Sequence, residues 1–173
     1  NSEEDYDDDN EKVKTKSQKS MNYSFKKPKE TTLKDLIAYD PNNEKYKRYV
    51  INIQTLIFQN SIPKSYKPKN SSLEEISKVC GSVCNEINRC FKIIPRTVQI
   101  LSILRLADNI LNDKKSHGMI SEIKTGEGKS LIVTILSIIL VIFNRKVDVI
   151  SSNMELVKRD QSEFVPGYQK YLN

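Results

Sequence analysis

Apolar residues recur at helical spacing through much of the chain. After the turn signal Asp40-Pro41-Asn42-Asn43, residues 44–59 place Tyr46, Val50, Ile53 and Ile57 on one face of a predicted helix. Residues 61–70, with Pro63 and Pro68, read as a linker. Ser71 or Ser72 can cap the next helix, and Glu74 or Glu75 can serve as the reciprocal acid of a capping box. That helix is expected to run to about residue 93, with Leu73, Ile76, Val79, Cys80, Val83, Ile87 and Cys90 inward. Pro95 breaks it, and residues 97–111 form another apolar helix that contains Gln99.

Beyond the polar loop 112–118 the pattern changes. Residues 119–123 and 147–151 are short apolar runs of strand length, and between them residues 131–143 are almost wholly apolar. A strand, a buried helix and a second strand predict a right-handed parallel unit, hence an α/β fold with a parallel sheet flanked by helices. A last helix is expected from about Asn153, interrupted at Pro166-Gly167. Residues 1–32 show no apolar period and predict a disordered arm, acidic and then lysine-rich. The organisation expected is thus an arm at 1–32, a helix and linker at 33–70, and a nucleotide-binding segment at 71–173.

The chemistry concentrates where the first predicted strand meets the buried helix. There Gly126-Glu127-Gly128-Lys129-Ser130 presents successive backbone N–H groups at a helix start, with an ammonium and a hydroxyl beside them. These groups suit a nucleoside triphosphate with Mg²⁺: backbone and Lys129 for the phosphates, Ser130 for the metal. The longer phosphate-loop pattern asks for glycine where Ile123 stands, so only the short Gly-x-Gly-Lys-Ser core is met. A glycine-rich turn between buried elements would leave Lys129-Ser130 unexplained.

Charge alters this picture little. The net charge is +6, with seven acids and no Lys or Arg among residues 1–11, so the remainder is basic. The basic residues are mostly Lys, and only six are Arg, the type favoured for gripping phosphates and reading bases, which disfavours nucleic acid as a partner. Cys80, Cys84 and Cys90 are odd in number and accompany a single His, which predicts buried thiols and no zinc site. The 131–143 run is shorter than the roughly 20 residues a membrane span requires. A start at Asn1 without Met, together with an unfinished α/β pattern at the end, leads us to expect a piece of a larger protein.

The stretch Glu122-Ile123-Lys124-Thr125-Gly126-Glu127-Gly128-Lys129-Ser130-Leu131 closely resembles the Glu-Met-Lys-Thr-Gly-Glu-Gly-Lys-Thr-Leu signature of the SecA family, the ATPase motors of protein translocation. Val149-Ile150-Ser151-Ser152-Asn153 followed by Leu156-Val157-Lys158-Arg159-Asp160 is similar to that family's next motif, and Gln99 falls where its adenine-reading Gln lies. The resemblance runs from about residue 73 to residue 172. It implies the first part of a RecA-like domain, ATP and Mg²⁺ as ligands, and Gly126, Glu127, Gly128, Lys129 and Ser130 around the phosphates, with Ser130 on the metal and Gln99 on the adenine. It further implies polypeptide clients, a membrane translocon as partner, and a place in the cytoplasm or peripheral to a membrane.

Two departures qualify that resemblance. The family's Arg five residues before the Gln is replaced by Ile94, and Arg96 stands only three before it. After Ser130 the acids are Asp148, Glu155, Asp160 and Glu163, none of which ends an apolar strand as an Asp-Glu pair. Without such a carboxylate to hold Mg²⁺ and orient water, this chain alone is expected to turn over almost nothing. Two other classes compete. A DEAD-box helicase would carry Pro-Thr-Arg-Glu-Leu where Ser151-Ser152-Asn153-Met154-Glu155-Leu156 lacks both Pro and Arg, and an intact Lys129-Ser130 counts against a scaffold that keeps the fold only for partner binding.

Overall fold

Thr32 begins the first ordered element by reciprocal capping. Its hydroxyl accepts from Asp35 N at 3.2 Å, and the Asp35 carboxylate accepts from Thr32 N at 3.0 Å. The computed structural model describes residues 31–59, 62–63, 65–113 and 118–172, so the arm expected at 1–32 falls almost wholly outside the described residues. Helix α1 is Leu33–Tyr39, and a 3₁₀ turn, Pro41–Tyr46, leads into α2, Lys47–Leu56. The others are α3, Leu73–Phe91, α4, Thr97–Asn112, α5, Lys129–Ile142, and α6, Met154–Leu172.

The helical expectations before residue 112 hold closely. Tyr46, Val50, Ile53 and Ile57 are all buried, although the chain enters α2 through the 3₁₀ turn that Asp40-Pro41 starts. Ser72 caps α3 by accepting from Glu75 N at 3.3 Å, and Lys92, in the left-handed region at φ 59°, ends it. Ile76, Val79, Cys80, Val83 and Ile87 face inward as expected, but Cys90 is exposed, its Sγ 3.4 Å from a Glu86 carboxylate oxygen. Gly81 lets α2 lie close on α3: a Cβ there would stand 2.6 Å from Leu56 Cβ. Asp108 in α4 ties the 3₁₀ turn down, accepting from Tyr46 Oη at 2.8 Å, Lys45 Nζ at 2.9 Å and Asn112 Nδ2 at 2.9 Å.

The expectation of a parallel sheet is overturned. Among the described residues there is no strand, and residues 118–124 and 145–150 have no regular secondary structure. Ile120 and Ile150, which lie in the two runs expected to be strands, are 101% and 91% exposed. The reason is pairing. A strand's N–H and C=O groups are satisfied only by a neighbouring strand, and the two apolar runs of this chain would make at most a two-stranded pair, which is not stable alone. The apolar helix α5 is covered by α3, α4 and α6 instead, with Leu131, Ile132, Ile135, Ile138, Ile139 and Leu140 all buried. A helix apolar on nearly every side needs neighbours, and three helices cover most of it here, while Val133, 39% exposed, faces the side they leave open.

Helix α6 differs from expectation too, because Pro166-Gly167 lie within it. Asn153 starts it, its side-chain oxygen accepting from Glu155 N at 2.9 Å and Leu156 N at 3.3 Å. Phe164 then anchors it to α3, edge-on to Phe91 with ring centroids 5.7 Å apart. A proline in a helix interior carries a local cost of order 3 kcal/mol.

Candidate functional site

Helix α5 begins where a tight turn ends. Glu127 N donates to Lys124 O at 3.2 Å, and Gly126 and Gly128 take φ of 84° and 76°, a region L side chains adopt at a cost. Gly128, the N-cap, accepts the first helical bond from Ile132 N at 3.2 Å. The loop thus delivers the chain into α5 with the helix's first-turn N–H groups at its mouth, where a helix carries its partial positive charge.

Two side chains from the start of α4 brace the loop from behind. Arg96 donates to the Glu127 carboxylate at 2.7 Å and to the Glu127 carbonyl at 3.2 Å. Gln99, 5% exposed, has both ends of its amide engaged: Oε1 accepts from Arg96 N at 2.8 Å, and Nε2 donates to Glu127 O at 2.8 Å. Gly128 is part of the same fit, since a Cβ there would lie 2.5 Å from Gln99 Nε2.

In front of the loop, Lys129 folds back so that its ammonium donates to Ile123 O at 2.9 Å. Ser130 Oγ donates to Asp160 Oδ2 at 2.9 Å, joining α5 to α6. Arg159 holds the other carboxylate oxygen at 2.6 Å and approaches Ser130 Oγ at 3.4 Å. Burial pushes the Asp160 carboxyl upward, but the hydrogen bonds from Arg159 and Ser130 outweigh it and hold the carboxyl below its ordinary value. A cavity of about 730 Å³ opens beside this group. Its polar lining includes Lys129, Ser130, Arg159 and Asp160, and its apolar lining comes from further along α5 and from Val147, Val149, Ile150 and Leu156.

All six residues expected to bind nucleotide, Gln99, Gly126, Glu127, Gly128, Lys129 and Ser130, therefore meet at one end of α5. Arg96, Arg159 and Asp160 join them. Asp160 stood among the four acids after Ser130, but no strand carried it, and only the packing of α6 on α5 brings it 2.9 Å from the Ser130 hydroxyl. The oxygen donors of Ser130 and Asp160 suit a hard divalent cation such as Mg²⁺, and the ammonium and loop suit phosphate. Cys80 and Cys84 stand apart, buried in α3 with Sγ atoms 4.0 Å apart. Among the described residues no group of three or more His, Cys, Asp or Glu gathers as a metal centre.

Residues 10–171 match the SecA DEAD-like domain family. Over 151 residues the chain is 28% identical to the protein translocase subunit SecA of Parasynechococcus marenigrum (strain WH8102), covering 79% of this chain and 16% of that protein. It is 27% identical to the same subunit of Synechococcus sp. (strain CC9605) and 28% to that of Synechococcus sp. (strain CC9902), with the same coverage. The chain thus spans about a sixth of the length of the curated relatives it matches. No solved structure gives a significant match.

Proposed function

Because the chain belongs to the SecA DEAD-like domain family, we propose that it binds ATP with Mg²⁺ at the 126–130 loop, as the nucleotide-binding part of a protein that couples ATP to polypeptide movement. One observation carries the reading: the Gly126-Glu127-Gly128-Lys129-Ser130 loop opens directly into the buried helix α5, with side chains of α4 bracing it. Backbone N–H groups at the loop and first turn of α5 would receive phosphate oxygens. Lys129 would exchange the Ile123 carbonyl for phosphate, a charge-assisted bond in place of a neutral acceptor. Ser130, with its hydroxyl facing Asp160, would hold the metal. When bound, Mg²⁺ would neutralise part of the phosphate charge. Polypeptide clients and a translocon at a membrane are the partners the family suggests, with the chain cytoplasmic or peripheral to that membrane. Among the described residues no helix is long and apolar enough to cross one.

The role of Gln99 separates two kinds of recognition. The family resemblance puts its amide on adenine, whereas the geometry supports a brace, because both ends of the amide already hold Arg96 N and Glu127 O. Displacement of a fluorescent nucleotide by ATP and by GTP tests both the binding and the role. Wild type is expected to bind ATP, and failure of ATP to displace the probe would refute the proposal. For Gln99→Ala the expected result is an equal loss for ATP and GTP, of order 1 kcal/mol for the hydrogen bond removed. A loss confined to ATP would instead assign Gln99 to the adenine edge, whose donor and acceptor pair an amide matches.

A further inference from the structure

Arg96, the N-cap of α4, spends one guanidinium nitrogen on two acceptors of a single residue. Its Nη2 donates to the Glu127 carboxylate at 2.7 Å and to the Glu127 carbonyl at 3.2 Å. Gln99 Nε2 donates to the same carbonyl at 2.8 Å, so two donors from the start of α4 hold one peptide group. In a trans peptide the C=O and N–H point in opposite directions. With the Glu127 carbonyl turned towards α4, the Gly128 N–H is turned away from it, at the N-cap of α5. Gly128 tolerates either sign of φ, and the peptide before it can turn over at little steric cost unless its carbonyl is held.

The same contact also answers a charge. Glu127 puts a carboxylate into a loop whose other features favour anions, and at half exposure solvent weakens its repulsion of a phosphate without removing it. Arg96 sets a positive charge directly against that carboxylate. We infer that Arg96 is a positioning residue for the anion site: without touching the ligand, it holds the Glu127–Gly128 peptide with its N–H towards the phosphate and cancels the Glu127 charge. The inference rests on the nucleotide reading above and gives that site a determinant of affinity outside the 126–130 loop. Arg105 supplies the control, since it lies further along α4 and pairs with Asp40 at 2.7 Å and Asn43 at 2.9 Å instead of with the loop.

The test is the affinity of the 173-residue chain for ADP with Mg²⁺ present, read by titration calorimetry. Arg96→Ala is expected to raise the dissociation constant about tenfold, the scale of one charge-assisted hydrogen bond lost from the site. Adding Glu127→Gln to Arg96→Ala removes the uncancelled carboxylate and should recover about threefold of that loss. Arg96→Lys keeps a charge and N–H donors, and should bind within about threefold of wild type. Arg105→Ala removes an equal charge and should match wild type. If Arg96→Ala does not fold, Arg96→Gln, which keeps a donor and drops the charge, takes its place. Unchanged affinity without the Arg96 charge overturns the inference. An equal loss in Arg105→Ala also overturns it, by tracing the effect to a loosened α4, and so does a loss that neither Glu127→Gln nor Arg96→Lys relieves. If wild type binds no ADP, the nucleotide reading fails and the role of Arg96 fails with it. ADP binding indifferent to Arg96 removes the second alone.

Discussion

Truncating Ile139 to alanine is expected to lower the unfolding free energy by about 2–5 kcal/mol, the range for deleting a fully buried Ile side chain. Ile139 is 0% exposed and stands in the third turn of α5, the helix that α3, α4 and α6 pack against. The loss combines the transfer of three carbons out of the core with the cavity they leave, against a gain of a few tenths of a kcal/mol from alanine's better helix propensity. On a total stability of roughly 5–15 kcal/mol such a change is large. Urea denaturation followed by circular dichroism should show a lower midpoint with an unchanged slope. A loss under about 1 kcal/mol would place this face of α5 at the surface and contradict the helical packing around it.

Gly128→Ala should cost about 2–3 kcal/mol, from two sources that can be separated. At φ 76° a Cβ costs about 1–2 kcal/mol in the backbone alone. That Cβ would also lie 2.5 Å from Gln99 Nε2, so Gln99 must leave the Glu127 carbonyl, at about 1 kcal/mol for the bond given up. Gly126→Ala carries only the first penalty, since its φ is 84° and no atom lies within 4 Å of the added Cβ. The difference between the two variants should vanish in a Gln99→Ala background, where the clash has no partner. Equal costs for Gly126→Ala and Gly128→Ala in the native background would mean that Gln99 does not pack behind the loop.

The helices and the loop were legible in the sequence because both are local. Tyr46, Val50, Ile53 and Ile57 keep one face at 3.6-residue spacing whatever surrounds them, and Ser72 caps its own helix three residues on. The glycines of the 126–130 loop likewise report a backbone need that arises within a few residues. The sheet was not legible, because an apolar run such as 147–151 looks the same whether a neighbouring strand pairs with it or not. Asp160 escaped for a related reason. Its partner Ser130 is reached only through the docking of α6, and helix spacing says which residues share a face but not which foreign side chain that face meets. Pro166-Gly167, a break by local rules, lies within α6 because those rules do not register the tertiary packing of that helix, Phe164 against Phe91 included.

Thermal unfolding with and without Mg·ATP shows whether the loop at the head of α5 is a nucleotide site. At about 100 times its dissociation constant, a ligand that binds only the folded chain stabilises it by roughly 2.7 kcal/mol. Wild type should therefore melt several degrees higher with Mg·ATP, and Lys129→Ala, which removes the ammonium now held on Ile123 O, should lose most of that rise. Identical melting of wild type with and without nucleotide, or an equal rise in Lys129→Ala, would contradict the account.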